Sequence, residues 1–257
     1  MTRAAEDLPF TVLGKARLIL EAFQIDDITL SLTEISRISG VPKASVHRVA
    51  QELVDWGVLE RDAHGYRLGM RLFELGSRVP RIRVLRETVH PYISSLQTTT
   101  KETVHLAVLD GLEVLFVEKE TGFTQSPKPS RVAGRTHLHC SATGKILLAF
   151  SPPQVLEACI ERGLERVTPR TITSATVLRQ KIQEVRERGY AIEQEELAKG
   201  YMAVAVPIVG DDRVGLGAIS ICAPTFRADL PRYLASLNLV RKQIAARQGL
   251  QATADTA

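Results

Sequence analysis

The sequence predicts an α+β protein with two unequal domains joined by a helix. Over residues 10–80, apolar residues recur at helical spacing in three short segments, and a pair of short strands follows. Residues 81–100 keep a helical pattern, whereas beyond residue 100 strand patterns appear and alternate with helices. The length of 257 residues leaves room for one large domain or two unequal ones, because domains commonly hold about 100–200 residues.

Composition limits the class of protein. Apolar residues make up 44% of the chain and charged residues 24%, which is ordinary globular usage and argues against disorder. No apolar run approaches about 18 residues and no secretory signal is evident, so we expect a cytoplasmic protein without membrane contact. The three cysteines, Cys140, Cys159 and Cys222, lack CxxC spacing, which indicates reduced thiols and no cysteine-built zinc site.

Charge is unevenly distributed along the chain. The formal net charge is +4 with a pI near 9.0, a mild attraction to polyanions. Residues 1–80, however, hold 10 basic and 11 acidic side chains. If this N-terminal part binds DNA, it must do so through a local basic patch.

The first two helices are predicted from apolar spacing and end signals. The first helix ends before Asp26, and its apolar positions are Val12, Ala16, Ile19, Leu20 and Phe23. Ser31 and Glu34 have the spacing of a capping box, in which each side chain bonds the other residue's backbone N–H. This box starts the second helix, and Gly40 stops it.

A third helix is predicted from Pro42, which suits a first helical turn, to Asp55. Its inward stripe comprises Val46, Val49, Ala50, Leu53 and Val54. The residues that must then face outward are Lys43, Ala44, Ser45, His47, Arg48 and Gln51.

The pair of helices around Gly40 is the arrangement that the DNA major groove admits. The segment 36–51 contains Arg37, Lys43 and Arg48 and no carboxylate, so a basic patch exists locally. Lys43 would neutralise a phosphate, and Arg48 would contact guanine or phosphate. The alternative is a three-helix module that binds protein and leaves its polar face in solvent.

A hairpin follows the third helix. Its strands are predicted at residues 58–61 and 66–68, around a turn at 62–65. The hairpin would act as a wing whose Arg61 and Arg67 contact the flanking DNA backbone. These two arginines complete the set of residues predicted to contact DNA.

The C-terminal part is predicted to mix strands and helices. Asp110-Gly111 forms the tight turn of a hairpin, and Ser141 caps a helix that runs through Phe150. A strongly amphipathic helix ends at Gly189, and two more strands and a last helix follow. Residues 250–257 are small and polar and are predicted to be a flexible tail.

Two sets of motifs closely resemble the IclR family of bacterial transcription regulators. The N-terminal set is LTEIS from residue 32, GVPKASVHR from 40, GVLER from 57 and YRLG from 66. The second set is HCSATGKILLA from 139, RGY from 188, Gly200 with AVP from 205, and AIS from 218. The motifs occur in order across about residues 10–248 and are specific in combination.

The resemblance implies a fold and a mode of action. It implies a winged helix-turn-helix DNA-binding domain at 1–80, a linker helix at 81–100 and a GAF-like α+β effector-binding domain at 101–249. It also implies operator DNA as a partner, a homodimer or a dimer of dimers, and a small organic acid as effector. Activation and repression are not distinguished by these motifs.

The resemblance also implies an effector pocket. Carried over by position, its residues are Ala142, Thr143, Glu193, Tyr201, Ala203, Ser220 and Cys222. Free N–H groups at the start of the Ser141-capped helix favour a carboxylate, and Ser220 adds a hydroxyl. Ala142 stands where some relatives have Gly, and Glu193 where some have Asp, so the identity of the effector does not transfer. Alternatively, Ala203 and Cys222 are core residues only.

A metal-dependent sensor or an enzyme is the alternative function. His137 and His139 would share one face of a strand and could meet an ion, with Cys140 beside them. No third ligand and no residue to orient a base are evident, so we expect no metal, no cofactor and no catalysis. His105 is interpreted as a core or surface residue.

Overall fold

The computed structural model describes residues 11–122, 130–209 and 215–254, without the side chains of Arg81 and of 247–254. The chain divides into two compact units, Met1–Arg83 and Val84–Ala257. This boundary lies three residues after residue 80, the predicted end of the first domain.

The N-terminal unit begins with three helices around one core. They are α1 (Val12–Glu21), α2 (Leu32–Ser39) and α3 (Lys43–Asp55). The predicted inward stripe of α3 is buried at Val46, Val49, Ala50 and Leu53 and packs against Ile19 and Ile35.

The ends of α2 follow the predicted signals. Ser31 Oγ accepts a hydrogen bond from the Glu34 backbone N–H at 3.3 Å, and Glu34 Oε2 accepts one from the Ser31 N–H at 2.8 Å. Gly40 ends the helix with a φ of 70°, a left-handed conformation that glycine adopts without steric cost. Pro42 is the N-cap of α3 and lies one residue before its first turn.

The hairpin consists of β1 (Leu59–Asp62) and β2 (Gly65–Leu68). Its loop has two residues rather than the predicted four, because Asp62 and Gly65 pair across the strands. Leu30 forms an isolated bridge with Tyr66, so the segment before α2 lies beside β2. A Cβ on Gly65 would stand 2.2 Å from the Leu30 carbonyl oxygen, so only glycine permits this approach.

Two helices connect the hairpin to the second unit: α4 (Met70–Ser77) and α5 (Pro80–Thr100). Pro80 is the first residue of α5, where the missing backbone N–H is tolerated, and Pro91 lies inside this helix. Because the division between the units falls at Arg83, α5 contributes to both.

The C-terminal unit is built on a six-stranded antiparallel sheet in the order β5-β4-β3-β8-β7-β6. Its strands are β3 (Thr103–Asp110), β4 (Glu113–Glu120), β5 (Arg135–His137), β6 (Ala191–Gln194), β7 (Tyr201–Val209) and β8 (Gly215–Pro224). The predicted hairpin at Asp110-Gly111 joins β3 to β4.

One face of the sheet carries the helices α6 (Ala142–Ala149), α7 (Pro153–Arg162) and α8 (Ala175–Arg188). Ala107, Ala205 and Ala218 pack against them. Alternate residues of a strand point to opposite faces, and a Cβ on Gly217 would meet Leu85 of α5 and Leu106. The α5 helix therefore lies on the opposite face.

A bulge in β4 changes which face its residues reach. Phe116 is paired with Ala107 and Glu118 with Leu106, so Val117 has no partner in the β3–β4 register. Phe116 packs on the α6 face, whereas Glu118 contacts His90 and Arg86 of α5. Without the bulge, Phe116 and Glu118 would share one face.

The last helix is α9 (Leu230–Ala254), which packs mainly against β7. It extends to residue 254, five residues into the segment that the sequence assigned to a tail, and residues 255–257 lie outside the described part of the chain. None of the described helices is long and apolar enough to cross a membrane.

Candidate functional site: a helix face for DNA and a ligand cavity

The first candidate site is the outer face of α3. Lys43, Ala44, His47 and Arg48 are exposed, and Ser45 and Gln51 are half-buried, as the inward stripe requires. Ser45 Oγ accepts a hydrogen bond from the Lys15 ammonium at 3.4 Å, so α1 contributes a further cation beside this face. The face can meet base edges and phosphates.

Acidic residues one turn further on restrain part of this face. Arg48 forms an ion pair with Glu52 at 3.1 Å, and Gln51 donates a hydrogen bond to Asp55 at 3.0 Å. No carboxylate of the described residues pairs with Lys43. Lys43 is therefore the simplest candidate for a phosphate contact in the set.

The hairpin places its two predicted arginines in solvent. Arg67 is bound to Glu60, its cross-strand partner, at 2.7 Å, and Arg61 lies over the ring of Tyr66 at 5.9 Å. Both guanidinium groups are positioned by the hairpin itself.

The second candidate site is a cavity in the C-terminal unit whose empty space, together with open solvent at its mouth, is about 490 Å³. All seven residues of the predicted pocket line it: Ala142, Thr143, Glu193, Tyr201, Ala203, Ser220 and Cys222. Small side chains on β7 and β8 leave room beneath the start of α6, because Ala203 and Ser220 fill little of the space. Their contact with an effector stays a prediction.

The start of α6 is shaped for an anion. Ser141 Oγ accepts a hydrogen bond from the Gly144 N–H at 3.0 Å, as the sequence predicted. A Cβ on Gly144 would stand 2.2 Å from the Leu138 carbonyl oxygen, so glycine lets α6 sit this close to the preceding segment. The N–H groups of Ala142 and Thr143 are the first of the helix and have no intrahelical acceptor. They can therefore bind a carboxylate.

The sequence analysis did not predict six further residues that line the cavity: His105, Phe116, Ser130, Ser141, Leu197 and Ala198. His105, interpreted from the sequence as a core or surface residue, is buried and hydrogen-bonded to Ser130, and it also lines the cavity. Pairing of β3 with β8 sets His105 directly opposite Ser220, so strand register was the signal that could have located it.

Burial controls the charge of two cavity residues. Burial raises the pKa of Glu193 to about 8, although the backbone N–H groups of Glu196 and Leu197 donate to its Oε2 at 3.0 and 3.5 Å. Burial, and then the nearby Lys119 ammonium, lower the pKa of His105 to about 3. At neutral pH both side chains are therefore mainly neutral.

A buried ion pair lies beside the cavity. Lys145 of α6 is 0% exposed, and its ammonium contacts Glu196 and donates to the Ile192 carbonyl oxygen at 3.2 Å. Burial lowers the pKa of Lys145 and raises that of Glu196. The pair connects α6 to the segment that follows β6.

The alternative with His137, His139 and Cys140 finds no support in the geometry. The prediction that His137 and His139 share one strand is wrong, because β5 ends at His137. The two rings are 5.5 Å apart, and the described residues contain no group of three metal-binding side chains. Burial raises the pKa of Cys140 to about 12, which disfavours the reactive thiolate.

An exposed recognition helix followed by a hairpin wing, with a ligand cavity in a second domain, defines a ligand-responsive DNA-binding regulator. Comparison with known families agrees. The family profile described as "IclR helix-turn-helix domain" matches residues 12–63, and that of the "Bacterial transcriptional regulator IclR C-terminal" matches 81–247. The chain belongs to the IclR family of bacterial transcriptional regulators.

Known relatives are regulators as well. The transcriptional regulator XynR of Escherichia coli is 32% identical over 84% of this chain and 86% of its own length. The p-hydroxybenzoate hydroxylase transcriptional activator of Acinetobacter baylyi is 28% identical over 86% of this chain and 84% of its own. A crystal structure of an IclR homolog from Microbacterium hydrocarbonoxydans, complexed with 4-hydroxybenzoate, is 32% identical with a TM-score of 0.87, covering 93% of this chain and 100% of that one.

Proposed function

We propose that this regulator binds a small aromatic carboxylic acid in the cavity and that the acid alters operator binding by a dimer or a dimer of dimers. The cavity carries the proposal, because the first residues of α6, the Ser220 hydroxyl and a mainly protonated Glu193 surround one space. The ring of Phe116 lines the same space and offers an aromatic surface. The 4-hydroxybenzoate bound by the similar homolog supports this class of ligand.

A thermal-shift screen of small carboxylic acids tests the proposal. A ligand that binds only the folded protein stabilises it by about 2.7 kcal/mol at a concentration 100 times its Kd. Benzoate and its hydroxylated forms are expected to raise Tm, whereas benzamide, which lacks the negative charge, is expected to leave it unchanged. An equal shift with benzamide would show that the cavity does not select a carboxylate.

Effector binding is expected to weaken as the pH rises through about 8, the pKa of Glu193 in the cavity. Protonated Glu193 can donate a hydrogen bond to the effector carboxylate, whereas ionised Glu193 repels it. If only the protonated form binds, affinity falls roughly tenfold between about pH 6.5 and about pH 9. Calorimetric titration at about pH 6.5 and about pH 9 measures the effect.

The control for this pH dependence is Glu193→Gln, which stays neutral throughout. Its affinity is expected to remain constant over the same range, and a parallel fall in the variant would assign the titration to another group.

The contribution of Glu193 to the stability of the fold also decreases as the pH rises. The pKa of Glu193 is about 8 in the folded protein and 4.5 in the unfolded chain, so the folded protein binds this proton more tightly. The resulting stabilisation is complete below about pH 4.5 and is lost as the pH approaches about 8.

Lys43→Ala is expected to weaken DNA binding to a similar degree across DNA sequences. If the ammonium neutralises one phosphate, the slope of log K against log salt becomes shallower by about one unit. Arg48→Ala is expected to weaken operator binding and, where Arg48 contacts a guanine, to reduce discrimination at that position. Fluorescence anisotropy with operator and random duplexes at several salt concentrations measures both.

Arg179→Ala is the matched control for charge. Arg179 lies on α8 of the C-terminal unit and is paired with Glu157, so its removal changes the net charge by the same amount without altering the N-terminal unit. The salt slope of this variant is expected to equal that of the wild type. An unchanged slope in Lys43→Ala would contradict the phosphate contact.

A further inference from the structure

The cavity has a second polar end, away from Glu193. His105 is 3% exposed, its Nε2 is hydrogen-bonded to Ser130 Oγ, and its ring lies 4.9 Å from the ring of Phe116. Lys119 donates a hydrogen bond to the Ser130 carbonyl oxygen and so holds Ser130 at this end. His105, Phe116 and Ser130 all line the cavity.

The chemistry of this end differs from that of the helix start. A neutral imidazole has one donor and one acceptor nitrogen, and a serine hydroxyl can also donate and accept. Burial keeps the pKa of His105 far below neutral, so the ring adds no positive charge for a carboxylate. A neutral group that both donates and accepts, such as a hydroxyl, complements the pair.

The two polar ends are separated across the sheet. His105 lies on β3 and Glu193 on β6, and β8 and β7 lie between those strands. Three strand spacings of about 4.8 Å place the two strands roughly 14 Å apart. A flat ring beside Phe116 can therefore carry one polar group toward each end of the cavity.

We propose that His105 and Ser130 are specificity-determining residues that bind a hydroxyl group of the effector. The preferred ligand is then a hydroxylated aromatic acid, with its carboxylate toward the start of α6 and its hydroxyl toward His105. This inference rests on the proposed function and adds the feature by which the protein would distinguish such an acid from its unsubstituted parent.

Calorimetric titration of the full chain with benzoate and with 4-hydroxybenzoate tests this inference. The wild type is expected to bind the hydroxylated acid about tenfold more tightly, which is the effect of one or two hydrogen bonds. His105→Phe keeps a flat ring and removes both nitrogens, so it is expected to bind the two acids equally. Its affinity for benzoate is expected to stay within about twofold of the wild type, which also shows that the variant is folded.

Ser130→Ala is the second variant and decides the question if His105→Phe does not fold. It is expected to reduce the preference for 4-hydroxybenzoate by severalfold with benzoate binding unchanged. A preference that persists in both variants would overturn the proposal. A wild type that binds both acids equally would overturn it and leave the proposed function intact, whereas a wild type that binds no aromatic acid would overturn both.

Discussion

Replacing Lys145 by methionine is expected to lower the free energy of unfolding of the C-terminal unit by about 3–5 kcal/mol. Methionine fills a similar volume in the core but leaves the Glu196 carboxylate buried without its cation. Breaking a buried ion pair on one side costs more than the pair contributes, because the remaining charge has lost its water and gains no partner.

The pH dependence of this variant gives a second readout. Burial already raises the pKa of Glu196, and loss of the Lys145 ammonium raises it further. The folded variant therefore binds a proton more tightly than the unfolded chain, so its stability is greatest at low pH and is lost as the pH rises through the folded pKa. The stability deficit is expected to be smaller at about pH 5 than at about pH 8.

Urea denaturation followed by far-ultraviolet circular dichroism measures this stability. The only tryptophan of the sequence, Trp56, lies in the N-terminal unit, so its fluorescence reports that unit separately. The double variant Lys145→Met with Glu196→Leu is the matched control and is expected to recover most of the loss, because neither charge remains. Glu196 Oε2 has no hydrogen-bond partner among the described residues, which favours this recovery. A loss below about 1 kcal/mol in Lys145→Met would contradict the importance of the pair.

Thr143→Trp is expected to abolish effector binding and to leave operator binding intact. Thr143 is 3% exposed at the second position of α6, where its side chain lines the cavity. An indole in this place occupies space that the effector needs and covers the helix N–H groups. We expect affinity for the acid to fall by more than about a hundredfold, or roughly 2.7 kcal/mol.

Calorimetry with the acid and anisotropy with operator DNA separate the two activities. Thr143→Ser keeps the hydroxyl and removes only a methyl group, so it is expected to retain effector binding and serves as the control. An unaltered acid Kd in Thr143→Trp would show that the effector site lies elsewhere. Loss of DNA binding in the absence of effector would show instead that the indole disturbs the fold.

Local signals in the sequence were sufficient for the elements that hold the sites. The Ser31–Glu34 capping box, the glycine end of α2 and the Ser141 cap of α6 each depend on residues no more than four positions apart. Such interactions form wherever the helix forms, so their residue types predict them directly. The outward face of α3 followed from the same helical period.

The cavity was only partly predictable. The seven residues that line it as predicted came from family motifs, since they lie on four separate elements. The sequence did not predict His105, Phe116 and Ser130 as cavity residues, because no local pattern shows that β3 and β4 line the same cavity. The metal hypothesis placed His139 on a strand that actually ends two residues earlier, at His137.

The sequence by itself predicted most of the helices, several of their ends, the outward face of α3 and the family to which the chain is similar. Only the tertiary structure decided what those elements enclose. The unpaired Val117 in β4 turns Phe116 toward the cavity and Glu118 toward α5, and the β3–β8 register sets His105 opposite Ser220. Strand register and bulges arise from packing between segments far apart in the chain, which no short stretch of sequence specifies.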